Sequence, residues 1–397
     1  MVKKRIIRIF SLLLPGMLLL FFGAGCGPKT TGPAPQATEE IKIGCVLSKS
    51  GALSTMGTKM TEAARLAIEE INKAGGVNGK KIKLYVEDDA TDPATALQAV
   101  KKLAEVNNVQ LMVGGMTSGA AMTCGQYLAE RKAILISPSA TSPELTGKPW
   151  REYVFRTCPS DAFQGRVMAQ LALEKGYRKV VVLVMDNTYG VGLGQVAQQT
   201  LGNKAQVLAF IKYDPTKMDY RTELTQIKNL KPEAVLHVGY NDDGRVVYRQ
   251  ALELGLENIR WIGCDGVYGT GMFKTKESAT FMEKAMIGTR PAAPEIKAYE
   301  DFKKAYEEKY KAAPEVFCDT AYDAVKLLAL AIKKAGSGEP QKVKEALKEV
   351  GQDYAGASGT LSFDQSNDRA TANYEVWRVI KEGQDYKFSP VKMVSIE

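Results

Sequence analysis

At 397 residues, with 45% hydrophobic and 25% charged side chains, the chain is too long for one core, because single cores stop growing at roughly 250–300 residues. The formal charge of +8 is weighted to the start, where Lys3, Lys4, Arg5 and Arg8 crowd together. Beyond them cations and carboxylates alternate, which excludes the basic stripe of a nucleic-acid binder. A single histidine, His237, excludes sites built from several imidazoles.

The first 25 residues read as a secretory signal: a basic start, an apolar run from Ile9 to Phe22 too short for a comfortable membrane span, and the small residues Gly23, Ala24 and Gly25 ahead of Cys26. A cysteine directly after small residues resembles the bacterial lipobox, in which the thiol is diacylated and becomes the first residue of the mature protein. Gly23 departs from that pattern, which usually carries Leu or another aliphatic residue three places earlier. Cys26 is thus the expected lipidation site, with soluble secretion as the alternative. Residues 26–40, rich in Pro, Gly and Thr without apolar periodicity, read as a flexible tether.

From Ile41 onward short apolar runs alternate with amphipathic segments, the βαβα pattern of a parallel sheet covered on both faces. IKIGCVL is the first strand, and Met60, Ala63, Ala64, Ala67, Ile68 and Ile71 then share one helical face. IKLYVEDD, QLMVGG, AILISP, KVVVLVMD, AQVLAF, EAVLHVG and IRWIG follow as strands, with helices expected at Ala120–Arg131, Phe163–Glu174 and Tyr220–Asn229. REYVFRTCPS and MIGTRPAAP read as hinge crossings. Helices at Ile296–Tyr310 and Asp319–Ala335, then GTLSFD and YEVWRVI strands, are expected to pack back on an existing sheet. Cys45, Cys124, Cys158, Cys264 and Cys318 lack CxxC spacing, so at most two bridges can form and no zinc site is indicated.

Three loops at strand ends carry candidate chemistry, since ligands of open parallel sheets settle beyond the carboxyl ends of strands. They are GGMTSGA with Ser118, SPSATSPEL with Ser139 and Thr141, and GCDGVYG with Asp265. Helix caps are the plain alternative for the hydroxyls, and a turn role is the plain alternative for Asp265. Gly192, Gly194 and Ala197 spell GxGxxA, but DNTYGV separates them from the preceding strand, so a nucleotide fingerprint is not expected. His237, inside an apolar run, reads as a core or strand-end residue.

IKIGCVLSKSG, EINKAGGVNGKKIKLYVEDDATDPATA, LMVGGMTSGA, ILISPSATSPELT and VFRTCPSD, in that order, closely resemble the branched-chain amino-acid binding proteins of bacterial ABC importers. The resemblance runs from about Ile41 to the C-terminus. It implies a type I periplasmic-binding-protein fold of two doubly wound parallel-sheet α/β lobes joined by three crossover strands, the third near Arg369 to Tyr374, closing on a ligand by hinge motion. Lobe 1 is expected at 41–156 plus 290–370 and lobe 2 at 157–289 plus 371–397.

The resemblance also implies site roles: Ser118 on a ligand α-carboxylate, Thr141 on both carboxylate and amine, Ser139 through its backbone, Asp265 on the α-ammonium, and Tyr189 as an aromatic cover. Met56 stands where leucine-binding relatives often carry Tyr, and Thr91 and Thr117 stand where they carry a cysteine pair. A side-chain pocket of Met56, Thr117, Tyr189 and Tyr240 is therefore expected to differ from a leucine pocket. Together these point to a lipid-anchored, extracytoplasmic, monomeric receptor without cofactor or metal. It captures a small amino acid, or alternatively an amide or aromatic acid, for ABC permease subunits. A sensory module of the same fold is the competing reading, and an enzyme on this fold would need a nucleophile–base pair that the sequence does not show.

Overall fold

The computed structural model describes residues 40–396. The segment expected to be a secretory signal, Cys26 and most of the expected tether lie outside the described residues.

The first half carries β1 (Ile41–Leu47), α1 (Ser54–Lys73), β2 (Ile82–Asp88), α2 (Pro93–Lys101), β3 (Leu111–Gly114), α3 (Ser118–Glu130), β4 (Ile134–Ser137) and β5 (Val154–Arg156). They build a five-stranded parallel sheet in the order β2-β1-β3-β4-β5. β3 and β4 are buried along their whole length, as strands covered on both faces must be. α1 places Met60, Ala63, Ala64, Ala67 and Ile68 in the core, each large side chain contributing roughly 1.5–3 kcal/mol by leaving water.

The chain then crosses to a second sheet through α4 (Asp161–Glu174), β6 (Lys179–Met185), α5 (Thr188–Leu201), β7 (Gln206–Tyr213), α6 (Arg221–Leu230), β8 (Ala234–Val238), α7 (Asn241–Glu253), β9 (Arg260–Gly263), α8 (Lys276–Ala285) and β10 (Met286–Pro291). It returns to pack α9 (Lys297–Tyr310), α10 (Cys318–Ala335) and α11 (Pro340–Val350) beside the first sheet, where α10 lies along α1. β11 (Tyr354–Gly356) and β12 (Gly359–Leu361) follow, and the last passage adds β13 (Ala372–Glu382) and β14 (Asp385–Ile396) to the second sheet, ordered β14-β13-β10-β9-β8-β6-β7.

Four details differ from the sequence reading. The text expected to be the first crossing contributes Val154–Arg156 to the first sheet, and the text expected to be the second contributes Met286–Pro291 to the second. GTLSFD joins neither large sheet; its Gly359–Leu361 pairs with Tyr354–Gly356 as a separate two-stranded hairpin. β14 is an additional antiparallel edge, so the second sheet is mixed. Its Pro390 hid it, because proline cannot donate to a ladder. Here it sits at a register shift on the edge, beside a half-exposed Val391, where proline is tolerated.

A buried charge cluster ties the third passage to the first sheet. Arg156 donates from Nε to Asp368 Oδ1 at 2.6 Å, and from Nη1 to the carbonyls of Ala140 and Ser142 at 3.1 and 2.8 Å. Arg151 also pairs with Asp368. Burial raises the Asp368 carboxyl, but the two guanidiniums outweigh it and hold the group below its usual range. All five cysteines of the domain, Cys45, Cys124, Cys158, Cys264 and Cys318, are buried free thiols.

Candidate functional site

The first wall of the site forms where β3 and β4 end. Gly115 takes the left-handed conformation at φ +67°, and a Cβ there would meet Ala121 at 2.8 Å, so the turn into α3 requires glycine. Thr117, expected in the side-chain pocket, lines the cavity but also caps α3, accepting the Ala120 amide at 3.1 Å. The cap role weighed for Ser118 therefore falls to its neighbour. Ser118 Oγ accepts the Ser142 amide at 3.1 Å, which leaves its proton to donate into the cavity beside unpaired amides of the first helical turn. Ser139 turns its hydroxyl onto the Met116 carbonyl at 2.8 Å. Arg156, by binding the carbonyls on either side of Thr141, fixes the loop between them.

The second wall comes from the second sheet. Asn187 caps α5 through the Gly190 amide at 2.8 Å and so places Tyr189. Its hydroxyl donates to Asp265 Oδ1 at 2.8 Å, and its ring stacks on Tyr240 at 5.4 Å between centroids. Asp265 is 4% exposed; burial raises its pKa, opposed by the Tyr189 hydrogen bond. The walls meet directly where Ser142 Oγ donates to the Thr188 carbonyl at 3.0 Å and Thr270 Oγ1 donates to Glu315 Oε1 at 2.9 Å. The cleft is closed.

Between the walls lies a narrow cavity of about 20 Å³. Met56, Thr117, Ser118, Ser139, Tyr189, Tyr240 and Asp265 all line it, joined by Leu53, Met116, Gly266 and Phe317. Thr141 is not among the lining residues: its hydroxyl lies 2.8 Å from Asp161 Oδ2. Thr91, in a left-handed turn, serves the neighbouring loop by accepting the Leu53 amide at 3.1 Å. A larger open groove, about 490 Å³, runs between Tyr268, Pro294 and Phe388 and includes none of the expected site residues.

Three participants escaped the sequence reading. Asp161, 1% exposed at the start of α4, has one oxygen without a partner. Burial and the neighbouring Asp265 push it well above the usual carboxylate range, against Thr141 and Arg156. The only signal was a Ser–Asp pair opening a helix, which reads as an ordinary cap. Phe317 lines the cavity from a left-handed backbone at φ +66°, a conformation that bulky residues hold only under tertiary constraint and that no sequence pattern announces. Arg156 was hidden within an apparent crossing. Asp265, with no cation among its hydrogen-bond partners and with Asp161 close to it, thus faces a hydroxyl at a helix N-terminus across an apolar gap. That polarity suits a small ligand with a positive and a negative end.

The GxGxxA glycines have packing reasons: a Cβ on Gly192 would lie 2.7 Å from Ser142 Oγ, and one on Gly194 would lie 2.6 Å from Val184. His237 is fully buried in β8, as expected of a core residue.

The family model for periplasmic binding proteins matches residues 40–384. The chain is 32% identical over 353 residues to the Leu/Ile/Val-binding protein BraC3 of Rhizobium johnstonii, covering 87% of this chain and 93% of that one. It is 29% identical to a leucine-, isoleucine-, valine-, threonine- and alanine-binding protein of Pseudomonas aeruginosa over 86% of this chain and 90% of the relative. Among solved structures, it resembles the branched-chain amino acid transporter substrate binding protein LivJ of Streptococcus pneumoniae in complex with isoleucine. The TM-score is 0.76 at 27% identity, over 89% of this chain and 99% of that one. A match over this length, together with the two-sheet architecture, shows that the chain belongs to the periplasmic binding protein family.

Proposed function

We propose that this protein is the extracytoplasmic solute-binding component of an ABC importer. It captures a small apolar α-amino acid by closing its two lobes and delivers it to the permease without a chemical step. The observation that carries this reading is the polarity of the closed cavity: Ser118 and the start of α3 on one side, Asp265 and Tyr189 on the other, with Asp161 close to Asp265. An α-carboxylate meets donors at the first wall, and an α-ammonium neutralises the paired carboxylates at the second. Met56, Leu53, Met116 and Phe317 then surround the side chain, with the Tyr189–Tyr240 stack as its cover. Thr141 acts through Asp161, and Ser139 through its backbone. Sequence similarity to the Leu/Ile/Val-binding proteins supports the amino-acid class. Cys26 is proposed as the lipid attachment point, with lobes dividing near 156/157, 290 and 370.

Thermal unfolding of the domain from residue 39 onward, across amino acids, amides and aromatic carboxylates, tests the reading. A ligand that binds only the folded state raises the midpoint with its concentration. A shift confined to apolar amino acids is the expected result. A shift with amine-free carboxylates alone contradicts the zwitterion reading.

A further inference from the structure

The chain's only histidine lies inside an unbroken run of buried hydrogen bonds. Tyr213 of β7 places its hydroxyl 2.5 Å from Asp243 Oδ2 and 3.0 Å from His237 Nε2. His237 Nδ1 lies 2.7 Å from the Tyr248 hydroxyl. The other Asp243 oxygen accepts the Tyr240 amide at 3.0 Å. All four side chains are at most 4% exposed, and a Cβ on Gly239 would come within 2.6 Å of both Tyr213 and Asp243. The third contact of the Tyr213 hydroxyl, to the Val238 carbonyl at 3.4 Å, is too long to compete.

The proton order follows from donor counting. Burial pushes His237 down to about 3, so the ring is neutral and carries one proton. An ionised Asp243 only accepts, so Tyr213 donates to it. The Tyr213 oxygen then accepts a hydrogen bond from His237 Nε2–H, and the bare Nδ1 accepts from Tyr248. If Asp243 is protonated, its proton goes to Tyr213, Tyr213 donates to Nε2, and the ring proton moves to Nδ1, facing Tyr248. Each state has its own tautomer.

The run ends at the pocket. Tyr240 precedes α7 and Asp243 is the third residue of that helix, so the carboxylate holds the backbone from which Tyr240 stacks on Tyr189, itself bonded to Asp265. We propose that Asp243 is a positioning residue of the pocket, acting through the Tyr240 amide, and that Asp243, Tyr213, His237 and Tyr248 form a relay whose direction follows the ionisation of Asp243. The first half rests on the proposed ligand site; the second does not.

Burial raises Asp243 to about 7 against the Tyr213 and Tyr240 bonds, with Asp242 adding to the rise. The groups facing it are Tyr213 of β7, His237 of β8, Tyr220 ahead of α6, and Asp242 and Tyr248 of α7, with Cys264 beyond Tyr248. Neither Asp243 oxygen bonds a lysine or arginine. The carboxylate form, and with it Nε2–H, belongs above the changeover and Nδ1–H below it.

Nitrogen-15 NMR of histidine-labelled protein reads this directly, because one histidine gives one set of ring signals. The expected result is a protonated Nε2 at about pH 8 and a protonated Nδ1 at about pH 6 with no imidazolium between. In Asp243→Asn the amide carbonyl accepts from Tyr240 and the NH2 donates to Tyr213, fixing Nδ1–H at every pH. If that variant fails to fold, Tyr213→Phe cuts the relay, and the tautomer no longer changes with pH. Wild-type Nδ1–H at about pH 8, or ordinary titration to imidazolium, overturns the relay. For positioning, Asp243→Ala, which removes the acceptor of the Tyr240 amide, raises the Kd of an amino acid that stabilises the wild type about 3- to 10-fold at pH 8 while Asp243→Asn, which keeps that acceptor, stays near the wild-type value; an unchanged Kd in Asp243→Ala, or an equal rise in both variants, overturns that half. The NMR result needs no ligand, so finding no ligand counts against the proposed function alone.

Discussion

At the scale of single residues, the site is a set of buried polar groups held ready for a ligand. Burial raises both Asp265 and Asp161, and the nearby Asp265 raises Asp161 further, so in the empty protein they oppose folding. A carboxyl whose folded pKa is raised loses stability as pH rises from its unfolded value through its folded one. Asp265→Asn is therefore expected to raise the melting temperature of the ligand-free domain at neutral pH. The same change weakens an amino-acid ligand by roughly 100-fold or more, because a buried ammonium loses its counter-charge; calorimetric titration of both proteins checks this. Ser118→Ala is expected to cost about 1–3 kcal/mol of binding and to lower the melting temperature only modestly, through the buried Ser142 amide that loses its acceptor, since Thr117 is the cap of α3. A large loss of stability with intact affinity would return Ser118 to a structural role. These residues stood out in the sequence because strand-end loops carried them in recognisable text. Asp161 did not, since its partner is a residue far away in sequence and only folding brings the two carboxylates together.

At the scale of elements, apolar periodicity exposed the alternating strands and helices, and each strand of the first sheet begins or ends within a residue or two of an apolar run. The signal failed where polarity and pairing part company. β14 alternates weakly, contains Pro390 and has one paired edge, so nothing in its text resembled a buried parallel strand. Arg156 sits at the end of a short strand that leads into the first crossing, and its guanidinium organises the loop on which Thr141 rides. Asp368 supplies the anion for that guanidinium, and its lowered pKa contributes stability above the unfolded carboxyl value, lost as pH falls through the folded one. Asp368→Asn is expected to destabilise the domain by about 3–5 kcal/mol, because Arg156 and Arg151 are left buried without their anion. Urea unfolding at neutral pH measures it. A difference from wild type that shrinks below about pH 4 is the matching acid signature.

At the scale of the whole molecule, two sheets and three passages between them create a cleft whose walls touch through few bonds. Ser142 Oγ to the Thr188 carbonyl is one of them. Ser142→Ala is expected to raise ligand Kd about 2- to 10-fold with little change in the melting temperature of the empty domain, because the bond forms only when the walls meet. Small-angle scattering with and without ligand shows whether the variant favours the open form. The central claim is that the closed cavity is built for both ends of an α-amino acid. The most direct test is calorimetric titration with an aliphatic amino acid that stabilises the domain, and with two analogues of it, one lacking the amine and one lacking the carboxylate. The expected result is that the amino acid binds and that each analogue loses roughly 100-fold or more in affinity. Binding of the amine-free acid as tightly as the amino acid itself would contradict it.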